Sequence, residues 1–215
     1  ALIKNEILPL LKELAESDSW RIRLALVKGF GKYVAYCEQN IVSDELFPML
    51  ITLLKDNEPE VRQVVMPEMY PYFDSLPYSI FNNAFLPVAE VLTEDPIPLV
   101  RKLLAEIMIE ICSKNPSNTA MAVMIEKLLQ DEDPGVRLRV INKIEIIARD
   151  LPDLALKMTP ILKDLFTSPN WRVRQKMVRS VVPLVTHLGK DHFVESFLDE
   201  YLGMLRDSVD EVRNT

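Results

Sequence analysis

Residues 46–62 read LFPMLITLLKDNEPEVR, and this stretch decides the fold. Leu46, Met49, Leu50, Leu53 and Leu54 recur at three- and four-residue spacing, the apolar stripe of one helix. Asp56-Asn57-Glu58 breaks the stripe and Pro59 restarts it, since proline's missing N–H has no intrahelical partner to lose at the first helical position. Val61, Val64, Val65 and Met69 then mark the apolar face of a second helix. The stretch predicts a helix, a tight turn and a second helix.

Working outward, the same phrase recurs along the whole chain. A branched apolar residue precedes arginine at Ile22-Arg23, Val61-Arg62, Val100-Arg101, Val136-Arg137, Val173-Arg174 and Val212-Arg213, at intervals of 39, 39, 36, 37 and 39 residues. Six places before each arginine stand Ser17, Asp56, Asp95, Asp131, Ser168 and Asp207. Nine before stand Leu14, Leu53, Leu92, Leu128, Leu165 and Met204, and fourteen before stand Pro9, Pro48, Pro87, Val123, Pro160 and Asp199. Three before stand Trp20, Pro59, Pro98, Pro134, Trp171 and Asp210. Five columns in phase, each with its own chemistry, establish an internal repeat.

The units run over about residues 1–40, 41–78, 79–115, 116–151, 152–189 and 190–215. A single helix pair of this length cannot cover its own apolar face, whereas stacked neighbours can. The expected fold class is therefore all-α, an α-α superhelix of about six helix pairs in one array. No window alternates with period two between turn signals, so no sheet is expected. Ser19, Asp133 and Asn170 stand where side chains cap a second helix. Pro67, Pro71 and Pro183 fall inside second helices and are expected to bend them. The sixth unit stops at Thr215, shortly after its second helix begins, which reads as a piece of a longer array.

Composition excludes several classes. With 215 residues, 48% hydrophobic and a net charge of −7, the chain has enough apolar surface to fold. The acidic balance disfavours nucleic acid, and no apolar run is long enough to span a membrane. Two cysteines, Cys37 and Cys112, make no disulfide framework and fit a reducing compartment, cytoplasmic with access to the nucleus. His187 and His192 lie off a single helical face and lack a cysteine cluster, so neither zinc nor triad catalysis is expected. Gly29-Phe30-Gly31-Lys32 lacks the earlier glycine and the preceding strand of a phosphate loop. Residues 131–135 place glycine one position early for a calcium loop. No cofactor, metal, small-molecule substrate or enzymatic activity is expected.

A proline in the first helix, an aspartate at the turn and Val-Arg opening the second helix resemble the HEAT repeat over essentially the whole chain. The order of variants is similar to the scaffold (A) subunit of protein phosphatase 2A: two turns reading Trp20-Arg21-Ile22-Arg23 and Trp171-Arg172-Val173-Arg174 are separated by three ordinary ones. The register resembles roughly the seventh through twelfth repeats of that family. The resemblance implies a non-catalytic scaffold that presents its intra-repeat turns to regulatory B-type subunits and to a phosphatase catalytic subunit. By that analogy Trp20 and Arg21 belong to the regulatory-subunit end, and Trp171 and Arg172 to a turn that helps hold the catalytic subunit. Val123 in place of proline, and Ser17 and Ser168 in place of aspartate, depart from the pattern.

Apart from resemblance, each tryptophan occupies a position held by proline in three sister repeats. It either anchors an interface, as Trp and Arg do at binding hot spots, or folds onto the adjacent repeat. Arg172, Lys176 and Arg179 share a helix face and suit an acidic partner, or form a solvated surface with Arg174 committed to the aspartate–arginine ladder. The turns at Pro59-Glu60 and Ile97-Pro98 complete the candidate protein-binding set. Asp56, Arg62, Asp95, Arg101, Asp131, Arg137, Asp207 and Arg213 form a structural aspartate–arginine ladder, with bonds expected within and between repeats. The methionines at 66, 69, 108, 121 and 124 fall in apolar stripes and read as core. A tubulin-binding TOG-type domain and a nuclear-transport receptor segment are the rival readings. Against tubulin stand the acidic or apolar turns at Asn57-Glu58, Pro96-Ile97 and Glu132-Asp133.

Overall fold

The computed structural model describes residues 2–215, and all regular structure among them is helical. The elements are α1 (Leu8–Ala15), α2 (Trp20–Val27), α3 (Gln39–Ile41), α4 (Phe47–Leu53), α5 (Pro59–Ser75), α6 (Tyr78–Leu92), α7 (Pro98–Lys114) and α8 (Thr119–Leu129). They continue with α9 (Pro134–Asn142), α10 (Ile144–Asp150), α11 (Pro152–Leu165), α12 (Trp171–Leu188), α13 (Lys190–Ser196), α14 (Leu198–Met204) and α15 (Asp210–Arg213). The helix–turn–helix expected over residues 46–62 is α4, a turn at 54–58 and the start of α5. Pro59, Pro98 and Pro134 each open a second helix, as do Trp20 and Trp171.

The first-helix prolines have a local consequence. Ile3–Ile7 and Val42–Leu46 are π-helical, each ending two residues before a proline, Pro9 and Pro48. A proline has no N–H to donate and its ring crowds the carbonyl four residues back, and the wider register relieves both constraints. Pro67 and Pro71 lie within α5, Pro87 within α6, Pro160 within α11 and Pro183 within α12.

The chain divides into two compact units, one up to Ile107 and one from Met108, with the boundary inside α7. In the first, α1 packs on α4 and α4 on α6, while α2 packs on α5. First helices thus stack on first helices and second on second. Its core is aromatic: the Phe47 ring lies 6.0 Å from Tyr72 and 5.2 Å from Phe81, and Phe81 lies 5.3 Å from Phe85. In the second unit α8 packs on α11, and α9 and α10 on α12. Aliphatic side chains dominate there, including Ile125, Val140, Ile141, Ile147, Leu162 and Val173, all buried. The five methionines expected in the core are buried as well.

Candidate functional site

The turns carry the most regular chemistry in the molecule. Arg23 Nε and Nη2 donate to the two carboxylate oxygens of Asp56 at 2.6 and 2.7 Å. Arg62 does the same to Asp95 at 2.7 and 2.9 Å, and Arg174 to Asp207 at 2.6 and 2.8 Å. Each pair is bidentate and spans 33 residues, so arginine reaches the aspartate of the next repeat. The residue six places before the arginine supplies a backbone carbonyl instead of a side chain. Nη1 of Arg23, Arg62, Arg101 and Arg174 donates to the carbonyls of Ser17, Asp56, Asp95 and Ser168 at 2.6–2.7 Å. Arg137 and Arg213 bond the carbonyls of Asp131 and Asp207 in the same way.

The ladder has a wider membership than the sequence expectation gave it. Arg23, Arg62 and Arg174 each tie their own turn to the next, so Arg23 and Arg174 join on equal terms with Arg62. Each aspartate also closes its own turn: Asp56, Asp95, Asp131 and Asp207 accept the N–H two residues on at 2.8–2.9 Å. For Asp56, burial acts to raise the pKa, but the Arg23 hydrogen bonds and the Glu58 N–H outweigh it and hold the carboxyl below its ordinary value. Asp207 is likewise lowered, chiefly by its Arg174 hydrogen bonds.

The serine departures behave differently. Ser168 Oγ still accepts the Asn170 N–H at 3.3 Å, and Ser17 Oγ the Ser19 N–H at 3.3 Å. A hydroxyl keeps the turn bond but cannot receive both arms of a guanidinium. In keeping with this, Arg137 Nε is buried without a hydrogen-bond partner.

At the two tryptophan turns the indoles are half-buried, between the exposed and packed alternatives. In both, the following arginine folds over the ring: Arg21 Cζ lies 4.7 Å from the Trp20 centroid, and Arg172 Cζ 4.6 Å from that of Trp171. Such stacking orients an exposed guanidinium at modest cost in side-chain freedom. Asn170 caps α12 through the Arg172 N–H at 3.0 Å and Asp133 caps α9 through the Gly135 N–H at 2.8 Å, whereas Ser19 makes no side-chain cap. Arg172 and Arg179 are exposed and Lys176 half-buried, and none of the three forms an ion pair among the described residues. Of the three, Arg172 lies in the first turn of the 18-residue α12 and opposes its dipole, whose N-terminal end favours anions. Pro59 is half-buried with Glu60 exposed beside it. Ile97 and Pro98 are half-buried, and the Ile97 N–H is held by Asp95, so this turn is a braced corner.

One feature of the first unit is not legible in the sequence. Gly29 has φ +86°, and its N–H and that of Gly31 donate to the Glu68 carboxylate at 2.9 and 2.6 Å. The glycine loop therefore does hold an anion, one supplied by α5 of the same chain. A Cβ on Gly31 would lie 2.8 Å from Pro71 Cγ, which explains the second glycine. The spacing of the two glycines is visible in the sequence, but nothing in it pairs them with Glu68.

Elsewhere, burial pushes the Cys112 thiol up to about 11 and raises that of Cys37. His192 Nε2 lies 3.1 Å from Thr159 Oγ1, and His187 is exposed. No helix among the described residues is long and apolar enough to cross a membrane.

These repeated turns find their match in one family: the profile of the "PIK3R4-like, middle domain" aligns with residues 7–214. The chain belongs to the PIK3R4-like middle domain family. A 94-residue stretch is 27% identical to the beta isoform of the human 65 kDa regulatory (A) subunit of serine/threonine-protein phosphatase 2A, covering 41% of this chain and 16% of that protein. Among solved structures, Cex1p superposes with a TM-score of 0.70 at 17% identity over 84% of this chain and 35% of its own. Kap121p gives 0.68 at 19% identity over 95% of this chain and 22% of its own. A designed armadillo repeat protein, YIII(Dq.V1)4CPAF in complex with peptide (KR)4, gives 0.64 at 15% identity over 96% and 95%. These likenesses establish a HEAT/armadillo-like helical repeat fold for this member of the family.

Proposed function

We propose that this chain is a non-catalytic docking segment that binds protein partners through its intra-repeat turns. The observation that carries the reading is the pair of Trp–Arg stacks, with Arg172, Lys176 and Arg179 in the N-terminal half of α12 forming no ion pair among the described residues. Stability alone does not favour a cation at Arg172 in the first turn, and half-buried tryptophans beside oriented arginines are the usual composition of interface hot spots. The partner class we favour is a serine/threonine protein phosphatase catalytic subunit, with regulatory B-type subunits at the Trp20 turn. In support stands the 27% identity to a regulatory chain of phosphatase 2A, and in each unit the ladder fixes the turns that such partners would read.

The test is binding of purified phosphatase 2A catalytic subunit to the wild-type chain and to Trp171→Ala/Arg172→Ala, by calorimetry, with circular dichroism as the folding control. Loss of about 2 kcal/mol or more with helicity intact is expected. Equal affinity of the two proteins, or no binding by either, would remove the phosphatase from the reading.

A further inference from the structure

We infer that Ser168 is a phosphorylation site whose phosphate completes the missing rung of the ladder. Four of the six turns carry aspartate at this position, and at Asp56, Asp95 and Asp207 that carboxylate receives Nε and Nη2 of the preceding repeat's arginine. At Ser168 the carboxylate is absent. Arg137 nevertheless keeps the ladder posture, its Nη1 on the carbonyls of Asp131 and Glu132, while its buried Nε has no partner. Serine Oγ holds the covalent position of the aspartate carboxylate carbon, and it makes the same turn bond, to the N–H two residues on, that the sister aspartates make. A phosphate on Oγ restores the missing oxygens and adds about −1.5 to −2 charges beside a cation that lacks an anion.

The local sequence and structure suit the modification. Thr167-Ser168-Pro169 presents a serine directly before proline, the pattern read by proline-directed serine/threonine kinases. It lies in the non-helical turn between α11 and α12, with Thr167 and Pro169 exposed. Ser168 itself is 7% exposed, and its Oγ makes one 3.3 Å bond, to the Asn170 N–H. Opening this short turn presents the hydroxyl to the kinase, and reclosure carries the phosphate onto Arg137. In the transfer, Ser168 Oγ forms a bond to the γ-phosphorus of ATP, the bond from that phosphorus to the leaving ADP oxygen breaks, and the hydroxyl proton passes to the kinase's base. The product braces the turn three residues ahead of Trp171, so the modification stiffens the segment that presents Arg172.

The test incubates the purified chain with a proline-directed kinase and ATP, maps the phosphate by tandem mass spectrometry and compares melting temperatures. Expected are one phosphate at Ser168, none in Ser168→Ala, and a rise of several degrees for the phosphoprotein that Arg137→Gln abolishes. Ser168→Asp, which needs no kinase, is expected to raise the melting temperature in the same Arg137-dependent way. Phosphate at Thr167 or nowhere, or modified Ser168 and Ser168→Asp both melting at or below the wild-type temperature, would overturn the inference.

Discussion

Replacing Asp95 by serine imposes on the first unit the arrangement that the second carries at Ser168. Arg62 and Asp95 are 7% and 6% exposed, and their two hydrogen bonds, at 2.7 and 2.9 Å, are more enclosed than those of Arg23–Asp56 or Arg174–Asp207. Serine can retain the turn bond to the Ile97 N–H, as Ser168 does with Asn170, but it leaves Nε and Nη2 of a buried guanidinium without their carboxylate. Removing one partner of a buried ion pair costs about 3–5 kcal/mol. Arg62 keeps its bonds to the carbonyls of Asp56 and Asn57, which places the expected loss near the lower end, about 3 kcal/mol. That is a large share of the ~5–15 kcal/mol by which a domain is stable. Urea unfolding followed at 222 nm reads it as a lower midpoint with an unchanged slope. A second substitution separates the lost bond from the stranded charge: Arg62→Met in the Asp95→Ser background is expected to recover part of the stability, because an orphaned cation costs more than an apolar side chain of similar size. A loss below about 1 kcal/mol, the value of an exposed pair, would refute the claim that the ladder is a buried structural device.

Stability is expected to be level between pH 5 and 8 and to fall below about pH 4. Asp56 and Asp207 have folded pKa values below their unfolded ones, so their contribution is present above the unfolded value and is lost as pH falls through the folded one. Thermal melts from pH 3 to 8 check this, and equal stability at pH 3 and 7 would contradict it. Gly31→Ala is expected to lower stability by about 1–3 kcal/mol by driving a methyl into Pro71 and Glu68, whereas Gly203→Ala, with open space around it in α14, should be neutral or slightly stabilising. Paired melting temperatures decide between them. With a thiol reagent at pH 8, half-buried Cys37 is expected to react well before Cys112, whose buried thiol is raised to about 11; equal rates would contradict the burial of α7.

The sequence by itself determined the repeat, because each column answers to a local rule. Proline at a helix start, apolar residues at three- and four-residue spacing and aspartate at a turn act within a few residues of themselves, so periodicity exposes them. It also identified Trp20, Arg21, Trp171, Arg172, Lys176 and Arg179 as unusual for their positions. The match to the PIK3R4-like middle domain over residues 7–214 extends that reading to a family. Only the tertiary structure decided who pairs with whom. The column spacing puts each arginine six residues from an aspartate or serine, yet the carboxylates that Arg23, Arg62 and Arg174 grip lie 33 residues ahead. The near aspartate is spent closing its own turn and offers only its carbonyl. Likewise Glu68 shows nothing in one dimension, and only the packing of α5 against the Gly29–Gly31 loop brings its carboxylate onto two backbone N–H groups. Local propensity is written residue by residue, whereas a bond between repeats depends on how helices stack, and that is fixed by the summed packing of the cores.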